Sequence, residues 1–170
     1  MITIAIREQF GLITDRTQAD ADRLLELLQK GCGQWSPAEQ ETFAQASDKG
    51  AYNARDLNRV QTAMEYIAGR LTEYGCRVPD LPRPDVSGRD YWVLGDAPTA
   101  AQLNQYRANV ADIRSAIPVL RITPAVPADM DGLTPTQANM IEQILIDVDG
   151  LLTNMAQAWL YAGDVDAGEV

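Results

Sequence analysis

The sequence predicts an all-α protein: a helical bundle of three long heptad-patterned helices, one or two shorter N-terminal helices, and a possible short N-terminal β-strand arm. Three observations carry that expectation. Three stretches hold apolar residues at an unbroken 3-4 spacing, the seam of a helix that packs on other helices. Each opens at a residue whose side chain can accept a bond from an unpaired N–H of the first turn, and a Gly or Pro follows its end. Period-two alternation with β-branched residues, the signal of a strand, occurs in the first ten residues.

The totals agree with one domain. A chain of 170 residues buries roughly 70% of the surface its unfolded form exposes, and needs no disulfide or metal to fold. The net charge is −10, which opposes non-specific binding to nucleic acid or anionic membrane. There is no histidine, so the commonest general base and the commonest neutral metal ligand are both missing. Cys32 and Cys76 each sit beside a glycine at a predicted helix end. Two cysteines make neither a metal set nor a disulfide framework, and they read as free thiols. No apolar run approaches the ~18 residues of a membrane span. The first residues, MITIAIREQFG, lack a signal-like basic and apolar pattern, so the protein is expected to be made in the cytoplasm with no membrane insertion.

In chain order, Ile2, Ile4 and Ile6 alternate with Thr3, Ala5 and Arg7 up to Phe10. A lone strand needs a partner. The alternatives are Tyr91–Leu94 within the chain or a sheet edge on a neighbouring subunit. Asp15 or Thr17 then caps a helix over about 17–30, with Ala21, Leu24, Leu25 and Leu28 as its apolar stripe. Ser36-Pro37-Ala38-Glu39 is a capping box with Pro at the first helical position, opening a helix over about 37–47. Trp35, just outside it, is expected to staple the entry as a buried structural residue.

The first long helix follows Asn53 and stops at Gly75; its seam is Leu57, Val60, Met64, Ile67, Leu71 and Tyr74. Residues 76–98 carry four prolines and are expected to be an extended link. Within it Tyr91 and Trp92 stand as candidate interaction residues, or they tuck against the bundle. Thr99 caps the second long helix, about 99–117, with seam Leu103, Tyr106, Val110, Ile113 and Ile117. A second extended link over 122–131 leads to the capping box Thr134-Pro135-Thr136-Gln137 and the last helix, about 135–162. Its seam runs Ala138, Ile141, Leu145, Val148, Leu152, Met155 and Trp159, widened by Ile144 and Leu151, so it should be the most buried of the three. Gly163 is expected to end it.

Each long helix carries an Asn five residues after its cap: Asn58, Asn104 and Asn139. Each flanks the seam, where a side-chain amide is expected to bond a neighbouring helix end or the backbone of a link. The links are long enough to cross the full bundle. The three Asn-bearing starts can then lie at one end with the helices parallel, although antiparallel packing remains open.

No catalytic or metal residue is assigned. Asp129–Gly132 and Asp147–Gly150 each show D-x-D-G but lack the ligand count and closing Glu of a calcium loop. Phosphate-cradling, dinucleotide, nucleophile-elbow and zinc patterns do not occur. Arg55, Arg59 and Arg70 share a helix with Glu65 and Glu73 and suit ion pairs.

The segment GAYNARDLNRVQTAMEYIAGRL resembles a recurrent segment of tail and virion structural proteins from phages and prophages of Gram-positive bacteria. There a Tyr/Asn-x-x-Asp-Leu-Asn-Arg-Val/Ile pattern opens a helix ending in a Tyr-Ile/Leu-Ala-type turn. Later pieces fit in order: Asp96–Thr99 through Gln102, Tyr106 and Asn109-Val110; Pro124 through Met130; Leu133-Thr134, Ala138-Asn139 and Ile141-Glu142; and Leu152 to Tyr161-Ala162-Gly163. The resemblance covers roughly residues 13–168. It implies a non-enzymatic structural or adaptor part of the tail, in the baseplate or fibre region. The part would be located in the virion and present in several copies, with itself and other tail proteins as partners and neither nucleic acid nor a cofactor. The alternative is a small helical binding module that recognises a host protein or cell-surface polymer. The expected organisation is an arm (1–12), a bundle (13–163) and an acidic tail (164–170).

Overall fold

The computed structural model describes residues 5–77 and 80–166. Its helices are α1 (Ile6–Phe10), α2 (Gln18–Lys30), α3 (Pro37–Ala44), α4 (Ala54–Glu73), α5 (Ala100–Ser115) and α6 (Pro135–Asp166), with a 3-10 turn at Cys32–Gln34. The three long helices α4, α5 and α6 pack on one another to form the core. Among the described residues the fold is all-α, and the only β pairing is an isolated bridge between Val86 and Arg89.

The capping residues perform as the sequence predicts. Asn53 accepts from the N–H groups of Arg55 and Asp56, and Asp56 reaches back to the Asn53 N–H. Thr17 with Asp20, Ser36 with Glu39, and Thr99 with Gln102 form the same reciprocal box. Thr134 and Gln137 bond each other in the same way at the start of α6. Thr17 is thus the cap of α2, while Asp15 pairs with Lys49 instead.

The seams face inward. Leu57, Val60, Met64, Ile67 and Leu71 of α4 meet Tyr106, Val110 and Ile113 of α5. From α6 come Ile141, Ile144, Leu145, Val148 and Leu152. Contacts along the axes set the helix directions. Arg59 near the start of α4 bonds Glu142 near the start of α6, while Tyr74 at the end of α4 packs on Trp159 far along α6. Tyr52, just before α4, bonds Tyr106 early in α5, while Arg77 and Asp80 lie beside Asp112 and Ser115 at the end of α5. All three helices therefore run parallel, and both links return the full length of the bundle.

The N-terminal segment differs from expectation. Ile2 and Ile4 lie outside the described residues. Ile6–Phe10 is a helix, not a strand: Ile6 and Phe10 are four apart, so a helix puts both on one face. Ile6 is buried, while Arg7, Glu8 and Gln9 are exposed. Among the described residues no strand pairs with it, since 91–93 is irregular and leads into a turn closed by the Asp96 N–H on the Val93 carbonyl. Gly11, at φ 66, caps α1 in the left-handed region and turns the chain along the bundle. The segment 5–16 packs on α4 and α6, with Leu12 buried and Phe10 stacked on Tyr66 at 5.3 Å.

Three helix ends also shift. α3 stops at Ala44 rather than near 47, because the chain turns through Ala46 at φ 47. α5 stops at Ser115, because Pro118 disfavours helical backbone in the residue before it and cannot donate to the preceding turn. α6 runs on through Gly163 to Asp166, since one glycine costs an exposed helix only about 1 kcal/mol.

Candidate functional site

The most distinctive site gathers where α4 and α6 begin and the N-terminal segment ends. Arg16, Asp56 and Glu142 are buried, at 5%, 3% and 0% exposure, and Arg59 closes the group. The Arg16 Nη2 donates to Asp56 Oδ1 at 3.0 Å and to Glu142 Oε1 at 2.6 Å. Arg59 Nη2 donates to Glu142 Oε1 at 2.8 Å and also to Asp56. Two arginines thus face two carboxylates, and the interior charge sums to zero. This is the arrangement a low-dielectric interior requires, because one uncompensated ion there costs far more than the pair.

Each member arrives for a local reason. Asp56 is the third residue of α4 and is already engaged by the Asn53 cap. Arg59 lies one turn further on the same helix, so an i,i+3 pair forms without adjustment. Glu142 sits about two turns along α6. Arg16 enters from the strap-like segment 5–16 and lies over the Tyr52 ring, 5.3 Å from its centroid. Its Nη1 also donates to the Ile13 carbonyl at 2.9 Å.

Burial works against the charged guanidinium of Arg59, but the bonds and charges of Glu142 and Asp56 outweigh it and raise its pKa. The hydroxyls of Tyr52 and Tyr106 bond at 2.5 Å beside the cluster. Burial, reinforced by the nearby Glu142 carboxylate, pushes Tyr52 well above the usual phenol range. Burial does the same to Tyr106.

Backbone clamps surround the cluster. Glu142 Oε2 accepts from the Ile13 N–H at 2.5 Å. Asn139 holds both polar groups of Arg16: its Oδ1 accepts from the N–H at 3.0 Å and its Nδ2 donates to the carbonyl at 2.9 Å. Asn58 makes the same two-point clamp on Trp92, at 2.8 Å and 2.7 Å. The expectation that these amides hold passing backbone therefore stands for two of the three. Asn104 is exposed. Its intended part falls to Asn109, one turn and a residue later, which donates to the Pro82 carbonyl at 3.0 Å.

The remaining candidate residues lie apart from this cluster. Trp92 is buried, 6% exposed, so it belongs to the core rather than to a contact surface; Tyr91 is half exposed. Ile6 is core and Phe10 partly buried. Trp35 is half-buried: its Nε1 donates to the Leu27 carbonyl at 2.8 Å and its ring stacks on Phe43, so it ties α2 to α3. Trp159, expected in the core, is 53% exposed. The reason is length: α6 has 32 residues and α4 has 20, so the far end of α6 overhangs its partner.

Neither D-x-D-G stretch forms an ion loop. Asp149 pairs with Arg70, Asp147 with Gln143, and Asp129 holds the Asp131 N–H. Among the described residues no three His, Cys, Asp or Glu side chains gather as a metal site. Cys32 and Cys76 are free. No described helix is long and apolar enough to cross a membrane.

The charge cluster escaped the reading of the sequence, although a signal was present. Asp56 lies four residues before Val60, and Glu142 lies four after Ala138 and three before Leu145. Both therefore occupy seam spacing, where an ionised residue demands a buried partner. Arg16 gives no such signal, because it sits outside any periodic stretch. Comparison with protein-family models, with curated proteins and with solved structures finds no match.

Proposed function

We propose that this protein is a non-enzymatic structural or adaptor subunit of a phage or prophage tail, built to be held by neighbours in an assembly. The resemblance in the α4 segment and in the ordered pieces that follow supports this reading. The observation that carries it is where the side chains are spent. The buried arginines and carboxylates are consumed in ties between elements. Large apolar side chains meanwhile stay outside at separate places. Leu25 and Leu28 on α2 are about half exposed, as are Tyr91 and Leu94 on the first link, and Ile122 on the second is 82% exposed. Exposed apolar groups on three separate segments suit a part that neighbours touch.

Quantitative mass spectrometry of purified tail particles from the producing strain tests the proposal. The expected result is this chain at a fixed ratio of several copies per particle. Absence from particles that are otherwise complete would sink it and leave the small binding module as the better reading.

A further inference from the structure

A small cavity lies where the first link crosses α4 and α5, and we propose that it binds one internal water molecule, held by Gln61 and Asn109. The water joins the two helices and the link at a point where no direct bond does so.

The cavity measures about 10 Å³, and its lining includes Leu57, Gln61, Trp92, Gln102, Tyr106 and Asn109. A bound water needs roughly 10–15 Å³ of such space and two to four polar partners. The size therefore admits one non-hydrogen atom and nothing larger. No charged side chain stands in the lining. A cation of that size would be uncompensated there, so the ligand is neutral.

The polar partners are in place. Gln61 is 5% exposed, and its Nε2 donates to Glu65 Oε1 at 3.0 Å. Glu65 is itself paired with Arg83, so its ionised carboxylate only accepts. That fixes which way round the Gln61 amide sits, because the opposite orientation would set its oxygen against the carboxylate. Gln61 Oε1 has no hydrogen-bond partner among the described residues. A buried amide oxygen left without a donor is costly, and a solvent molecule is the usual remedy. Asn109 is 1% exposed and stands across the cavity on α5. Its Nδ2 donates one hydrogen to the Pro82 carbonyl, and its Oδ1 accepts from Gln105. A second Nδ2 hydrogen remains to be satisfied. Gln102 likewise donates one amide hydrogen to the Asp85 carbonyl and keeps another. A water that donates to Gln61 Oε1 and accepts from Asn109 meets both needs, with Gln102 as a third partner. Since Asn109 also holds Pro82, the bridge runs from α4 through the water to α5 and the link.

The test uses the full-length chain with carbon-13 in its methyl groups. Water-to-protein NOE and ROE spectra should show a cross-peak at the Leu57 methyls, which are buried and carry no exchangeable proton. Gln61→Met removes the acceptor at similar length and should abolish that peak. The Tyr106 hydroxyl persists in this variant, so a peak relayed through hydroxyl exchange would survive unchanged. A crystal structure of the unsubstituted chain needs no variant to fold. It should place a water within about 3.2 Å of Gln61 Oε1 and of Asn109 Nδ2. A cross-peak that is absent, or equally strong in Gln61→Met, would overturn the proposal. So would a crystal structure in which Gln61 Oε1 bonds a protein donor and no water lies beside it.

Discussion

Arg16 is the residue on which most of the unexpected structure turns. It bonds two acids on two helices and is clamped through its own backbone by a third side chain. Replacing it with alanine leaves Asp56 and Glu142 with one arginine, and the expected loss of stability is about 3–5 kcal/mol. Glu142→Gln keeps the shape but breaks the charge balance and should also destabilise. The double variant Arg16→Met with Glu142→Leu should recover part of the loss, because an apolar set avoids the desolvation that the ions incur. Urea unfolding of these variants, with Arg16→Met and Glu142→Leu as the matching single variants, checks this. Additive losses in the double variant would show that the two residues are not coupled. The asparagines give a second contrast. Asn58→Ala and Asn139→Ala each free two backbone groups at the edge of the core and should cost about 1–3 kcal/mol. Asn104→Ala, at an exposed site, should lie within about 0.5 kcal/mol of the parent. Equal effects at all three positions would contradict the clamps.

At the scale of the element, the capping boxes of α3 and α6, the caps of α4 and α5 and the seams of the long helices were legible in the sequence, because all are local patterns of residue type and spacing. The partner of each buried charge was not. A seam position for Glu142 says that something must neutralise it, but the matching arginine lies 126 residues away on a segment with no periodicity. The same limit explains Ile6–Phe10, where a strand pattern and a helix face coincide over five residues and the tertiary contact decides. Trp159 marks a different limit, since a seam continues in sequence after the neighbouring helix has ended.

The cap of α3 makes a prediction at this scale. The Ser36 N–H and hydroxyl, together with Lys30, hold the Glu39 carboxyl down at about 2 against an ordinary 4.5. A pKa depressed on folding adds stability that is fully present above about 4.5 and is lost as pH falls through about 2. The Glu39 side-chain resonance should therefore titrate near 2 by NMR, with the α3 amides losing protection over the same range. High salt should weaken the part due to Lys30, because that pair is exposed to solvent. A midpoint near 4.5 would mean that the box does not form.

At the scale of the whole molecule, three parallel helices have their starting ends together, and one charge cluster ties two of them, α4 and α6, to the N-terminal segment. Parallel neighbours need long connections, and the proline-rich links supply them. The first keeps close to the bundle through Pro82, Val86 and Trp92. The second does so through the bonds of Arg114 to Thr123 and Pro124 and through buried Met130. The links thus do more than connect, since their backbones satisfy the polar side chains that face outward from α4 and α5. What stays outside this scheme is the α2–α3 hairpin and the far end of α6.

The most direct measurement is a pair of spin-label distances in full-length protein with Cys32→Ser and Cys76→Ser. One sample carries labels at Arg55 and Thr136, the exposed starts of α4 and α6; the other carries them at Arg55 and Gln157, far along α6. At 1.5 Å of rise per residue, parallel helices predict that the second distance exceeds the first by roughly 20 Å or more. The reverse order would mean that α4 and α6 run antiparallel, and the cluster of Arg16, Asp56, Arg59 and Glu142 would then have no place to form.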